Sequence, residues 1–543
     1  MKTNLILILI LFVIVGMSSC NNKKQTAAEE QTISNEILKD KIAGGWAGKM
    51  IGVTYGGPTE FKAQGKTYED SIKWVPSDVK NSIWQDDIYV QLTFLMTMDK
   101  YGMDAPAKKY QELFAKAGYQ LWHANVQARK NYFDSIFPPL SGHPDFNLHA
   151  DDIDFQIEAD YIGFMCPGMP QTASKISDKI GHIMNYGDGV YGGVFVAALY
   201  SEAYFENDIP KIVDKALLSL PAESDYAKIV KDVIILHKQY PSDWRAAWNE
   251  LEAKWGKVQI CASGTTFNID AKLNGAYIVM GLLYGEGDPL KTMEISTRCG
   301  QDSDCNPSNA MAVLGVIKGL SGLPAEYRDA VTAIGDSLFV HTDYSFNKAV
   351  EKTFEYAKKL SAENGGESTD TELKIKLQQP QPFALEDAFP KLVFNKRVRV
   401  FDNSSWQTKG QWAGYSYYDG WSKKDVKDQA RFSGKAGDEI SFTFEGTGAS
   451  IEGNWLKDGG MADVYVDGQL KRTIDCYFDF ANQEHRGMNI YHITNLADGK
   501  HVIKLVVKGE KRPESAGTNV YVTEAVVFKT ADKTNENFKF SFQ

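Results

Sequence analysis

Residues 299–309, CGQDSDCNPSN, set Asp302 and Asp304 one residue apart on a polar loop that runs into Asn306-Pro307. A second acidic pair, Asp86-Asp87, opens the stretch DDIYVQLTFLMTM. Carboxylates placed like this do one of two things. They sit in the first turn of a helix, where the N-terminal dipole stabilises them, or they converge on a hard cation such as Mg²⁺, which takes oxygen ligands. Four carboxylates gathered without a cation would repel one another strongly. Asn306 reads as an N-cap with Pro307 in the first helical position. After the other pair, Ile88, Leu92, Leu95 and Met96 recur at helical spacing. Both pairs therefore stand at helix starts, and spacing alone leaves caps and a cation site open.

Other carboxylates offer proton chemistry. ADDIDFQIEAD, residues 150–160, puts Asp154 and Glu158 on one helix face, with Asp160 following, and Asp188 lies between glycines in NYGDGVYGGVF. Glycosidic hydrolysis uses one protonated carboxyl for the leaving group and a second group to handle water. Asp154 and Asp188 are the candidates for that acid, with solvated helix-face charges as the alternative. His143, His149 and His182 lie near these stretches but lack HExxH or HxH spacing and read as structural. The absence of a GxSxG elbow and of a Walker loop argues against serine hydrolase and nucleoside triphosphatase chemistry.

The elements that must position these groups fall into two units. Up to about residue 360 the apolar spacing is helical, as in Ala310, Leu314 and Ile317. Beyond it the period drops to two: Ile440, Phe442 and Phe444 alternate with Ser441 and Thr443, and Ala462, Val464 and Val466 lead into an Asp467-Gly468 turn. SAENGGESTDTE reads as the connection. The expected organisation is a signal peptide at 1–20, a polar tether at 21–36, a helical domain at 37–360, a linker at 361–373, a β-sandwich at 374–532 and a tail at 533–543. The leader has one early Lys, an apolar run from Leu5 to Val15 and small residues before Cys20. Its end resembles a bacterial lipobox, which makes Cys20 the lipidated residue and the bacterial cell envelope, periplasmic or outer-membrane facing, the expected location. The lipid anchor is then the expected membrane attachment. A net charge of −11 without a basic cluster argues against nucleic acid as partner. Besides Cys20 there are five cysteines with no CxxC spacing, which fits neither a disulfide scaffold nor a thiolate zinc site.

KIAGGWAGKMIGVTYGGPTEF, WQDDIYVQLTFL and CGQDSDCNPSNAMAVLGVIKGLSGLP occur in this order and resemble three motifs of the ADP-ribosylglycohydrolase family. The resemblance implies an all-α fold over about 37–357. It also implies a two-metal site, usually Mg²⁺, in a cleft where water attacks the anomeric carbon of ribose. Asp86, Asp87, Asp302 and Asp304 match the family's metal ligands, and Glu60 its cleft glutamate, placed to accept a proton from water or position it. The chain departs from the family at Val53, Gln85, Ile88 and Cys305. Ile88 offers no oxygen, and Cys305 is too soft a ligand to suit Mg²⁺. One cation rather than two is therefore the expectation, with Ca²⁺ as an alternative to Mg²⁺ and Gln85 and Ser303 as additional polar contacts.

The C-terminal unit resembles galactose-binding-like jelly rolls appended to bacterial carbohydrate enzymes, on FTFEGTGASIEG, ADVYVDGQ and NLADGKHVIKLVV. Trp406, Trp412, Trp421 and Trp455 are its sugar-contact candidates, set against the alternative of an aromatic core. Together these readings imply a multidomain glycosidase with a helical domain followed by an antiparallel β-sandwich. Its substrate would be an extracytoplasmic glycan, with a furanoside as one form. A true ADP-ribosylglycohydrolase acting on an ADP-ribose conjugate is the second reading, and a non-catalytic glycan-binding lipoprotein the third.

Overall fold

The computed structural model describes residues 29–531 apart from Trp421 and Asn482. The leader, Cys20, the 533–543 tail and Trp421 thus lie outside the described residues. Among those described, no helix is long and apolar enough to cross a membrane.

The helical unit is built around two helices, Asn35–Gly56 and Cys305–Lys318. Gly44, Gly48, Gly52 and Gly56 recur every four residues and so form one stripe along the first helix. A Cβ on each would fall 2.1 Å from the Gly315 carbonyl oxygen, 2.4 Å from that of Met311, 2.3 Å from that of Pro307 and 1.9 Å from that of Ser303. Each step of four on one helix meets a step of four on the other, so the backbones touch along the whole ridge. The repeated glycines of the first motif are this ridge. Asp86–Tyr101, Asp188–Ala203 and Ala271–Gly285 pack around the pair and bury almost all of their apolar residues in the same core.

The chain leaves the helical unit later than its composition suggests. Glu30–Ser34 pairs antiparallel with Glu372–Lys376, which also pairs with Glu367–Ser368. Leu373 and Ile375 are fully buried in the helical core. The end of the expected tether and much of the expected linker therefore form a small sheet on the helical unit. The alternation of Leu373 and Ile375 with lysines is what buries it.

The sandwich begins at Leu392–Arg399. One sheet runs in the order Gln469–Asp475, Met461–Val466, Gly499–Val507, Glu439–Gly446 and Trp406–Lys409. The other runs His485–Ile493, Gly448–Trp455, Val520–Thr530, Lys424–Ser433 and Ala413–Asp419, with Leu392–Arg399 also paired to Val520–Thr530. All pairings are antiparallel, and successive strands cross between the sheets as in a jelly roll. Ile440, Phe442 and Phe444 are buried between the sheets, as their period of two requires.

The two units are docked firmly. Leu148, Ala150 and Ile260 of the helical unit share an apolar cluster with Leu392, Phe394, Val526 and Phe528 of the sandwich. Arg512 joins them by bonding both Asp134, at 2.6 Å, and Asp475, at 2.5 Å.

The glycine ridge gives a direct expectation. Gly52→Ala forces a methyl into the Pro307 carbonyl and costs about 1–3 kcal/mol. Gly57→Ala, at a site with nothing within 4 Å, is the neutral control. Urea unfolding midpoints of the two variants check this.

Candidate active site

Where the ridge ends, two loops are strapped together. Phe61 N–H donates to the Gln301 carbonyl at 3.1 Å, and Gln301 N–H donates to the Ala63 carbonyl at 2.8 Å. The Thr59 and Ser303 hydroxyls share a hydrogen bond of 2.8 Å, which is where the Ser303 oxygen is spent. These contacts hold the Glu60 turn against the Asp302–Asp304 loop. Carboxylate oxygens of Glu60, Asp302 and Asp304 lie within 4.8 Å of one another, and Asp87, Asp304 and Cys305 form a second group of the same tightness. Asp304 belongs to both. It also caps the Cys305–Lys318 helix by accepting Cys305 N–H at 2.9 Å. The expected cap, Asn306, sits inside the first turn, where its amide donates to Asn274 Oδ1 at 3.1 Å. Asp304 displaces it because its carboxylate reaches the first free N–H of the helix.

The centre also contains a lysine, unmarked in the motif reading. Lys49 is fully buried, with its ammonium 3.1 Å from Asp87 Oδ1, 3.0 Å from Asp160 Oδ2 and donating to the Ile157 carbonyl at 2.9 Å. Burial opposes its charge, yet Asp160 and Asp87 outweigh that and raise its pKa. The other oxygen of Asp87 accepts from the Cys305 thiol at 3.2 Å. Burial pushes that thiol up and keeps it protonated. Asp160 is satisfied in full, accepting from Tyr200 at 2.6 Å, Asn309 at 3.0 Å and Gln91 at 3.1 Å. An ammonium and a thiol therefore occupy the side of Asp87 that a second hard cation would need. The Glu60, Asp302 and Asp304 oxygens, with half-buried Asp86 beside them, remain a donor set suited to one hard divalent cation.

Without a cation these acids hold protons. Burial first, then Asp87 and Asp304, pushes Asp86 up to about 8. Burial, then Asp87, pushes Asp304 up to about 6. Burial, then Asp304, raises Asp302. Asp304, then burial, raises Glu60, although its exposed place on the rim lets water moderate the repulsion.

The remaining sequence candidates are dispersed. Asp154 is buried and pushed up to about 7 by burial and then Asp152. Its oxygens accept the N–H groups of Ala124, at 3.3 Å, and Asn125, at 2.9 Å, so it anchors the start of the His123–Phe133 helix. Asp188 opens its own helix and accepts Tyr226 N–H at 3.1 Å, which turns it to a different wall of the core. Gln85 ends up as the N-cap of the Asp86 helix without a side-chain cap bond. Trp406 and Trp455 are buried in the sandwich core because their strands turn them inward, whereas Trp412, between two strands, packs half-buried at its edge. Buried rings cannot stack on a sugar. Among the described residues, the exposed tryptophans lie in the helical unit instead: Trp84, 67% exposed and two residues before Asp86, and Trp122, 47% exposed.

Trp122 stands at a cavity of about 630 Å³ between the units. From the helical side it is lined by His123, His149, Cys261 and Phe267, and from the sandwich by Arg397, Glu452 and Arg486. Phe61, next to Glu60, packs on Phe267 at 4.9 Å between ring centroids, and Phe267 stacks on His123. These rings connect the carboxylate centre to the cavity.

The ADP-ribosylglycohydrolase family model matches residues 34–362, more than half of the chain, and the chain belongs to that family. The A type blood alpha-D-galactosamine galactosaminidase of Flavonifractor plautii is 30% identical over 124 residues, 23% of this chain. The match covers 10% of that curated relative's length. Among solved structures, an ADP-ribosylglycohydrolase-related protein complex covers 59% of this chain and 99% of its own, at 12% identity and a TM-score of 0.44. The CBM36-1 domain of a multidomain xylanase from the hindgut metagenome of Trinervitermes trinervoides covers 25% of this chain and 98% of its own, at 17% identity and a TM-score of 0.17.

Two outcomes follow from the charges. Lys49→Met leaves Asp87 and Asp160 buried without their cation and costs about 3–5 kcal/mol at neutral pH, read by denaturant unfolding. Because Asp86, Asp154 and Asp304 hold protons in the folded chain up to about 8, 7 and 6, while an unfolded aspartate lets go near about 4, chelated protein loses stability as pH rises through that window. Melting temperatures in chelator fall from pH 5 to pH 8, and added Mg²⁺ restores most at pH 8, where the ligands are free of protons.

Proposed function

We propose that the chain is a cation-assisted glycoside hydrolase acting on a glycan outside the cytoplasm. The observation that carries this reading is the lining of the cavity beside the carboxylate centre. It offers the exposed face of Trp122, while both arginines on its wall are already paired, Arg397 with Glu524 and Arg486 with Glu484. An aromatic face stacks on the apolar face of a sugar ring, whereas a pyrophosphate calls for unpaired guanidinium groups. The galactosaminidase likeness points the same way. The resemblance of the sequence before Cys20 to a lipobox supports the same reading, with a lipid anchor at the bacterial envelope.

In this reading Asp302 and Asp304, with Asp86, hold the divalent cation, which when bound orients sugar hydroxyls and lowers the pKa of a water. Glu60, on the rim beside them, accepts the proton of the attacking water. The water oxygen bonds to the anomeric carbon, the glycosidic C–O bond breaks, and the leaving oxygen takes up a proton from solvent in the cleft. Lys49 and Cys305 keep Asp87 turned away from the reaction and fix the Asp86–Asp87 helix start.

The test is a released-sugar screen of the purified protein against neutral plant and host glycans, run beside an ADP-ribosylated peptide. Monosaccharide release is expected, lowered at least about 100-fold in Asp302→Asn with an unchanged circular dichroism spectrum. Release of ADP-ribose with no sugar from any glycan reverses the assignment to the family's namesake reaction.

A further inference from the structure

A second cluster of chemical groups stands on the cavity wall, apart from the carboxylate centre. His149 Nδ1 lies 2.8 Å from Asp152 Oδ2, His123 Nδ1 lies 3.7 Å from the same oxygen, and Cys261 Sγ lies 3.7 Å from His123 Nδ1. One ligand atom from each of these four residues falls within 4.8 Å of all the others. Ligands around a tetrahedral zinc ion, with bonds of about 2.0–2.3 Å, stand about 3.3–3.6 Å apart. The four side chains are therefore close to that arrangement before any ion is considered.

A second observation concerns the same carboxylate. Asp152 is fully buried, and its Oδ1 has no hydrogen-bond partner. A buried carboxylate oxygen without a partner is costly unless something binds it. The nearby ammonium of Lys272 is committed elsewhere, to Asp270 and, at 3.7 Å, to Asp151. Asp152 is the carboxylate of that acidic group that faces the two imidazoles.

The protonation states agree with a ligand role. Burial lowers His123 to about 3 and also lowers His149, so both rings are neutral with a nitrogen lone pair available. Burial, then Asp152, raises the Cys261 thiol, so an ion that binds there must displace its proton. His123 keeps 27% of its side chain exposed to the cavity, which gives an ion a way in.

We infer that His123, His149, Asp152 and Cys261 form a zinc-class transition-metal site on the wall of the cleft between the two units. Its two nitrogens and one sulfur select a borderline-soft ion, while the all-oxygen set of Glu60, Asp302 and Asp304 selects a hard one. Ile153, Ile157 and Ile269 pack together with Cys261 and Cys305 and form an apolar partition between the two centres. The site does not depend on which glycosidic bond the enzyme cleaves.

Cobalt(II) tests it, because a cobalt–thiolate bond gives a charge-transfer band in the near ultraviolet that oxygen ligation does not. The purified protein, stripped with chelator and titrated with Co²⁺ alone, is expected to develop the band at one equivalent. The band is expected to vanish in Cys261→Ser and in His149→Gln, and to persist in Cys305→Ser and Asp302→Asn. Folding of each metal-free variant is checked by circular dichroism, and the two band-removing variants report independently. No band in the parent protein, or a band lost with Cys305→Ser and kept in Cys261→Ser, overturns the assignment.

Discussion

The contact on which the rest depends is the backbone-to-backbone packing of Asn35–Gly56 against Cys305–Lys318. Four glycines in one stripe remove every Cβ from that face, and the carbonyls of residues 303, 307, 311 and 315 fill the space. Helices that carry side chains at their contact stand about 8–10 Å apart; here no side chain stands between the two backbones along the stripe. The end of one helix is thereby delivered onto the loop before the other. Glu60 lies four residues beyond the last glycine of the stripe, and Asp302 and Asp304 flank the carbonyl against which that glycine packs. The carboxylate centre is a consequence of how closely two helices can approach.

That proximity creates an electrostatic problem that the chain solves asymmetrically. On one side, Asp87 and Asp160 share the buried ammonium of Lys49, and the Cys305 thiol completes Asp87. A permanent protein cation stands there in place of an exchangeable one. On the other side, Glu60, Asp302 and Asp304 have no lysine partner among the described residues, and burial and mutual repulsion raise all three above ordinary carboxylates. Buried charge is tolerated when paired and becomes a binding energy for a partner when it is not. This contrast explains why substitutions away from the family pattern at Cys305 and Ile88 are compatible with an ordered centre.

The sandwich contributes by position. Trp406 and Trp455 are spent on its own core, but its edge closes one wall of the cavity into which Trp122, His123 and His149 face. An apolar cluster and the Arg512 bridge fix that wall relative to the helices. The cleft of about 630 Å³ is therefore lined by both units, with His123, His149 and Cys261 from the helical side and Arg397, Glu452 and Arg486 from the sandwich.

The sequence by itself determined the elements and their local chemistry. The 3.6 and 2.0 periods separate a helical unit from a sandwich, the first motif carries its glycines every four residues, and both acidic pairs stand at helix starts, since all of these are written in neighbouring residues. What only the tertiary structure decided are the partnerships between distant residues. Lys49 lies in an apolar, glycine-rich helix, where a single lysine is a signal, but nothing local says that Asp87 and Asp160 will meet it. Asp154 and Asp188 look alike in sequence, yet one anchors the helix beside the cavity and the other faces Tyr226. Trp406 and Trp455 alternate properly on their strands, but alternation does not say which face is inside. His149 has no neighbour in sequence that marks it, and only the return of the chain brings His123 and Cys261 beside it. Periodicity is fixed by backbone geometry within a few residues, whereas convergence depends on how segments far apart in the chain pack, and that information is spread over the whole core.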